Sequence, residues 1–154
     1  MPSKKLKGFL DKHEVPYVTI THSQAFTAQK VAASAHIPGK NMVKTVMVMI
    51  NGMMAMAVLP ASYYVDFNLL REITGEGNVR LASETEFKDM FPDCEVGAMP
   101  PFGNLYNLDV FVAKVLTDDE EIAFNAGNHT EIIQITYRDF EKLVHPKVMK
   151  FAVH

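Results

Sequence analysis

The sequence predicts an α+β fold, a single domain with a mixed, barrel-like β-sheet flanked by helices. Two observations carry that expectation. Met42–Ile50 and Met53–Leu59 are apolar runs on either side of Asn51-Gly52, the strongest short-range signature of a β-hairpin. Capped helical stretches interleave with strand-like ones before and after that hairpin, so the sheet is neither purely parallel nor free of helices. The chain has 154 residues and no linker-like or repeated segment, so the domain is expected to span 1–154 and to bury roughly 70% of its unfolded surface.

Taken in order, Ser3 caps a first helix in which Leu6, Phe9, Leu10 and His13 recur at helical spacing. Val15–Ile20 reads as a short strand, with Pro16 near its start. Thr27 caps a second helix carrying Val31, Ala32 and Ala35 on one face, and Pro38-Gly39 stops it. The hairpin strands are apolar at nearly every position, which implies cover on both faces. Six of the ten methionines fall between positions 42 and 56, and filling an irregular core is their expected role. Asp66 starts a third helix over Phe67–Ile73, ended by Gly75, and Ser83 with Glu86 forms a capping box for a fourth that stops before Pro92. A Gly/Pro-rich loop runs from Gly97 to Gly103. Strands are expected at Val110–Leu116, Ile122–Asn125 and Ile132–Thr136, then a helix around Arg138–Val144 ending at Pro146.

Composition removes several classes. Hydrophobic residues make up 48% and charged residues 21%, as in an ordinary globular chain rather than a disordered one. No apolar run reaches the 18 or so residues of a membrane span, and no signal peptide is visible, so a cytoplasmic location is the expectation. The net charge of −3 argues against a protein that coats nucleic acid. It is unevenly spread: +5 over residues 1–50, −9 over 51–125 and +1 thereafter. A basic first third could dock a short anionic ligand, although a solvated, lysine-bearing helix explains it as well.

Familiar site chemistries are missing. There is no phosphate loop, no GxGxxG, no GxSxG elbow and no close histidine pairing for a metal. Cys94 is the one cysteine and lies between Asp93 and Glu95, a poor setting for a thiolate. Three features remain. Lys44 sits inside an apolar strand, where burial is costly unless it meets an anion; snorkelling to water is the equal alternative. The Gly97–Gly103 loop combines glycines that admit a ligand to backbone N–H groups with prolines that stiffen it, though a tight connection would look the same. Asn125-Ala126-Gly127-Asn128-His129 ends a strand in a glycine turn with a histidine able to order a water.

Together these features resemble the YbaK/prolyl-tRNA synthetase editing-domain family of aminoacyl-tRNA deacylases, from about Thr21 to Pro146. The matching stretches are Thr27-Ala28-Gln29, Ala35-His36-Ile37-Pro38-Gly39, Val43-Lys44-Thr45 and Val58-Leu59-Pro60-Ala61, then Gly97 with Pro101, Pro101-Phe102-Gly103 and Phe124-Asn125-Ala126-Gly127-x-His129. Order and spacing make the likeness specific, and it is greatest to freestanding deacylases that clear alanine from mischarged tRNA(Pro). One departure stands out: relatives often carry Asp where this chain has Ala113.

The resemblance implies hydrolysis of the aminoacyl ester of mischarged tRNA by a positioned water, with the neighbouring ribose hydroxyl helping to move the proton. Such an ester is already activated, so no Ser or Cys nucleophile is needed. The residues implied as catalytic are Lys44, His129, Gly97 and Pro101, with Lys44 on a phosphate and the Gly97 loop on the aminoacyl group and ribose. Thr27, Thr45, Phe102, Gly103 and Gly127 are implied as substrate-binding. No metal or organic cofactor is implied. The partners are the acceptor end of mischarged tRNA and, optionally, an aminoacyl-tRNA synthetase, with no membrane. Alternatives are a same-family deacylase for Cys-tRNA(Pro) or Ser-tRNA, a non-catalytic module that holds tRNA or a synthetase, and a small-molecule amide or ester hydrolase.

Overall fold

The computed structural model describes residues 3–22, 27–35, 37–38 and 40–154. His36 and Gly39 of the stretch compared above lie outside the described residues. Helix α1 (Lys4–Lys12) starts at Ser3, whose Oγ accepts from the Leu6 N–H, and it buries Leu6 and Leu10. Strand β1 (Val18–Thr21) begins later than the expected Val15, because the Val15 N–H still closes a turn onto the Leu10 carbonyl at 3.1 Å. Helix α2 (Ala28–Ala35) has Thr27 as its cap, with Thr27 Oγ1 accepting from the Lys30 N–H.

The hairpin forms as read. Strands β2 (Val43–Ile50) and β3 (Met53–Pro60) pair antiparallel from Val43↔Pro60 to Ile50↔Met53. Asn51 (φ 50°) and Gly52 (φ 81°) both take positive φ, which is what the tight two-residue turn demands. Next come β4 (Tyr64–Val65), α3 (Phe67–Thr74), β5 (Val79–Leu81) and α4 (Glu84–Phe87). The Ser83–Glu86 capping box is present, but α4 is a single turn that tightens into a 3-10 turn at Lys88–Met90. Strand β6 (Asp109–Ala113) is shorter than the expected Val110–Leu116, because the chain turns into a 3-10 helix at Lys114–Asp118 that buries Leu116. Strands β7 (Glu121–Asn125) and β8 (Glu131–Thr136) and helix α5 (Tyr137–Val144) follow, then the unanticipated β9 (Lys147–Met149) and β10 (Ala152–Val153).

One sheet has the order β5-β2-β3-β6-β9, with β6 parallel to both neighbours and the other pairings antiparallel. A second, antiparallel sheet has the order β1-β8-β7, and β4 pairs with β10. The sheets meet where Met42 bridges Ala123 in parallel, reinforced by the Ala123 N–H to the Asn41 carbonyl at 2.9 Å. They enclose the main core, to which the larger sheet sends Val43, Met47, Met56, Val58, Val110 and Val112 and the smaller sends Ile122, Phe124, Ile133 and Ile135. On the other face of the larger sheet, Val48, Ala57, Leu59, Phe111 and Ala113 pack with Leu70 and Phe151. Helix α2 covers a third cluster through Val31 and Ala32, against Met42, Ala123 and Ile132. The hairpin is therefore covered on both faces, and Met42, Met47 and Met56 fill core space while Met53 is exposed. No helix among the described residues is long and apolar enough to cross a membrane.

Candidate active site

The bridge between Met42 and Ala123 is isolated, and beyond it β2 and β7 do not pair. A cleft of about 320 Å³ opens there. Its walls are Val43, Lys44 and Thr45 of β2, Asn125 at the end of β7, Ala61 just past β3, Thr27 and Gln29 at the start of α2, and Gly97 with Met99. Lys44, Thr45, Thr27 and Gly97, far apart in sequence, are thus brought to one cavity. Among the described residues no Asp or Glu lines it, and its hydroxyls belong to threonines rather than a serine.

Lys44 alternates onto the face of β2 that carries Val46 and Val48, and it is half-buried. Its ammonium lies 4.8 Å from the centroid of the Tyr64 ring and, among the described residues, has no ion-pair partner. Burial lowers its pKa from the ordinary lysine value, because desolvation penalises the charged form. Neither reading made from the sequence is discarded: the stem is packed, and the cation faces an uncompensated cleft. Ala113 is 1% exposed in the second cluster and does not line the cleft.

Gly97 takes φ 86°, a backbone region costly for residues with a Cβ. A Cβ built there would sit 3.6 Å from His129 Cε1, so the imidazole packs directly behind the glycine. His129 is 5% exposed; its Nε2 lies 2.9 Å from the Val96 carbonyl, and its backbone N–H donates to Glu95 Oε1 at 2.9 Å. A carbonyl only accepts, so Nε2 is the donor in that contact. Gly127 (φ 100°) completes the attachment: its N–H donates to the Ala98 carbonyl at 3.0 Å, and its carbonyl accepts from the Glu95 N–H at 2.7 Å. A Cβ on Gly127 would come within 3.0 Å of Ser3 Cβ. The Gly97 N–H itself is directed at Met99 Sδ, 3.3 Å away, and a thioether is a weak acceptor.

His129 and Gly127 therefore hold the loop from behind and are not cleft-lining residues, and the same is true of the buried Pro101 at the loop's far end. Phe102 and Gly103 are not brought to the cleft. The Phe102 ring is fully buried, packed against Phe9, Phe124 and Phe140. A Cβ on Gly103 would meet Val110 Cγ2 at 2.7 Å and the Leu108 carbonyl oxygen at 2.9 Å. Burial pushes the Cys94 thiol up to about 11, in line with a non-nucleophilic cysteine. Among the described residues no group of three His, Cys, Asp or Glu side chains is placed to hold a metal ion. The sequence reading did not single out Gln29, Met99 and Asn125 as site residues. Asn125 had a signal, as the polar last residue of an otherwise apolar strand.

The family described as "Aminoacyl-tRNA editing domain" matches residues 22–143. Two curated Escherichia coli proteins, each named multifunctional Ser/Thr-tRNA deacylase ProXp-y, are 30% identical over 97 residues. That match takes in 62% of this chain and only 58% of the relatives' length. Among solved structures, hypothetical protein APE2540 superposes with a TM-score of 0.87 at 20% identity, over 97% of this chain and all of that one. A structure described as a candidate trans-editing enzyme for prolyl tRNA synthetase gives 0.82 at 17% identity, over 99% and 97% of the two chains. These structural likenesses speak to the fold.

Proposed function

Because the chain belongs to the aminoacyl-tRNA editing domain family, we propose that it is a trans-editing deacylase that hydrolyses the ester of a mischarged tRNA, with Ala-tRNA(Pro) as its first substrate. The observation that carries this reading is the make-up of the cleft. Among the described residues, a lysine without a carboxylate partner and a glycine loop whose N–H has only a thioether acceptor share one cavity. That pairing suits a ligand with a phosphate at one end and a carbonyl oxygen at the other.

In this reading Lys44 holds the phosphate of the terminal nucleotide as a point charge. The Gly97 N–H exchanges Met99 Sδ for the developing oxyanion, a stronger acceptor. His129, through Val96, and Gly127, through Ala98, keep the loop in that geometry, and Pro101 stiffens its far end. Thr27 and Thr45 offer hydroxyls to the sugar or the attacking water, and the neighbouring ribose hydroxyl relays the proton. A volume of about 320 Å³, at the lower end of the ~300–1,000 Å³ usual for ligand sites, admits a small aminoacyl group and part of a nucleotide. A pocket sized for alanine would exclude proline by bulk, whereas each missing methylene is worth only ~1–3 kcal/mol in the opposite sense. The protein would act where tRNA is charged, in the cytoplasm.

A second reading is favoured by the names of the curated relatives and by the polar side chains of Thr27, Gln29, Thr45 and Asn125 around the cleft. In it the hydroxylated aminoacyl groups, seryl or threonyl, are the substrates. A panel of mischarged tRNAs under single-turnover conditions separates the two, with wild type, Lys44→Ala and His129→Ala compared. The first reading expects alanyl-tRNA(Pro) to be cleared fastest and Lys44→Ala to abolish clearance. Faster clearance of seryl- or threonyl-tRNA selects the second. Binding of tRNA with no turnover of any member overturns both.

A further inference from the structure

We propose that Asn125 is the substrate-binding residue that receives the free α-ammonium group of the aminoacyl ester, so that the site accepts aminoacyl esters and rejects their N-acylated forms. This rests on the deacylase reading. Asn125 lines the cleft yet is only 8% exposed, and its side-chain oxygen is buried with no hydrogen-bond partner among the described residues. Buried amide oxygens are nearly always paired, so one left without a partner on a residue that lines a cavity is fitted to a donor that arrives with the ligand. A half-turn about Cβ–Cγ exchanges the amide's two ends, which lets the oxygen meet that donor without moving the backbone.

The place of Asn125 says which donor. Two residues beyond it, the Gly127 N–H is bonded to the Ala98 carbonyl, so Asn125 lies at the Gly97 end of the cleft, where the ester carbonyl is seated. The α-ammonium is one carbon from that carbonyl. It is also a group at this end of an aminoacyl nucleotide that only donates and carries charge, and charged donors make the stronger hydrogen bonds to a buried oxygen. A neutral amide suits the task better than a carboxylate, since an Asp on this wall would attract the Lys44 ammonium across the same cavity and compete with the phosphate. Acylation of the amine removes the charge and two of its donors and adds bulk, leaving the buried oxygen unsatisfied in the complex.

The test uses 3′-alanylamino-3′-deoxyadenosine, in which an amide replaces the labile ester, and its N-acetyl derivative, each titrated into the full chain by calorimetry. Wild type is expected to bind the free-amine analogue at least about tenfold more tightly. Asn125→Leu and Asn125→Ala are expected to lose about tenfold or more on that analogue and less than threefold on the acetylated one. Equal binding of the two analogues by wild type overturns the inference, and so does an equal loss on both in the variants. Wild type decides alone if neither variant folds. Turnover is scored separately: an amine preference without deacylation of any charged tRNA supports this inference and overturns the activity, whereas deacylation without the preference does the reverse.

Discussion

Replacing Lys44 with Met separates the cleft's function from the fold's stability, because the two should move independently. Methionine keeps most of the packed stem and deletes the ammonium. A charge-assisted hydrogen bond to phosphate contributes about 1.5–3 kcal/mol, so binding of the non-hydrolysable alanyl analogue carrying its 5′-phosphate should weaken roughly 10- to 150-fold. Stability should change little. The variant loses a contact with the exposed Tyr64 ring worth ~0.5–1 kcal/mol and is relieved of a partly desolvated charge. The midpoint of thermal unfolding should therefore stay within about 4 °C of wild type. The pH dependence supplies a second signature. Burial lowers the Lys44 pKa in the folded chain, so phosphate binding is fullest below that depressed value and is lost as pH rises through it. Folding has the opposite slope: between the folded and unfolded pKa values the unfolded chain holds a proton that the folded chain has released, and stability rises with pH. Lys44→Met should flatten both. A loss below threefold with an unchanged melting point would refute the phosphate role, and a fall in melting point beyond 10 °C would make Lys44 structural.

Gly97→Ala places a residue with a Cβ at φ 86° without a clash, since His129 Cε1 is 3.6 Å from the new atom. Backbone strain of about 1–3 kcal/mol should lower the melting point by several degrees, and deacylation should fall further than that loss explains; wild-type kcat in the variant would remove the loop from the site. Phe102→Ala should cost about 3–5 kcal/mol in urea unfolding, and Gly103→Ala about 1–3 kcal/mol by overpacking against Val110 and the Leu108 carbonyl. Both should leave the folded fraction's kcat near wild type, and a selective loss of activity would restore those residues to a binding role. Cys94, with its thiol pushed up to about 11 by burial and by Asp93, should react with iodoacetamide at pH 8 about 100-fold more slowly than a cysteine in an unfolded control peptide; equal rates would contradict the burial.

Elements whose local chemistry is self-sufficient were legible in the sequence. The Asn51-Gly52 hairpin, the Asp66 cap with Gly75 at the other end of α3, and the Ser83–Glu86 capping box each depend on residues within one turn of one another. Strands β4, β5, β9 and β10 were not legible, because two or three residues acquire strand character only from the partner they meet. The end of β6 escaped for a related reason: Val115 and Leu116 continue the apolar pattern, and the choice of a 3-10 turn is made by the core that Leu116 enters. In the site, Lys44 stands out as a lysine inside an apolar strand, whereas the Gly97 loop looks as much like a tight connection until it is compared with a known family. Phe102 and Gly103 follow the segment that lines the cleft through Gly97 and Met99, and sequence adjacency cannot tell a residue facing a cleft from one facing the core. Asn125 reads in the sequence only as the start of the His129 turn, with no role of its own, because its consequence, an oxygen buried without a partner among the described residues, exists only once β7 has been placed beside β2.

The fold and the site have a common origin in that seam. Met42 and Ala123 bridge, cover themselves with Val31 and Ala32 of α2, and bring the two sheets together around the main core. Continued pairing would place Lys44 opposite Asn125 in a closed ladder and leave no cavity. Instead β7 gives way to the 126–129 turn, whose Gly127 binds the Gly97 loop, and Gly97 and Met99 face β2 across the cleft. The polar and charged groups that strand pairing would have hidden become the walls of a cleft. In the proposed reading, this is also how a chain of net charge −3 would serve a nucleic-acid substrate. The lysines of α1 are exposed on the helix surface, whereas Lys44 is the lysine carried into the cavity. A grip made by one lysine predicts a contact limited to the last nucleotide, with each single-stranded phosphate contributing a salt slope of only about −0.7.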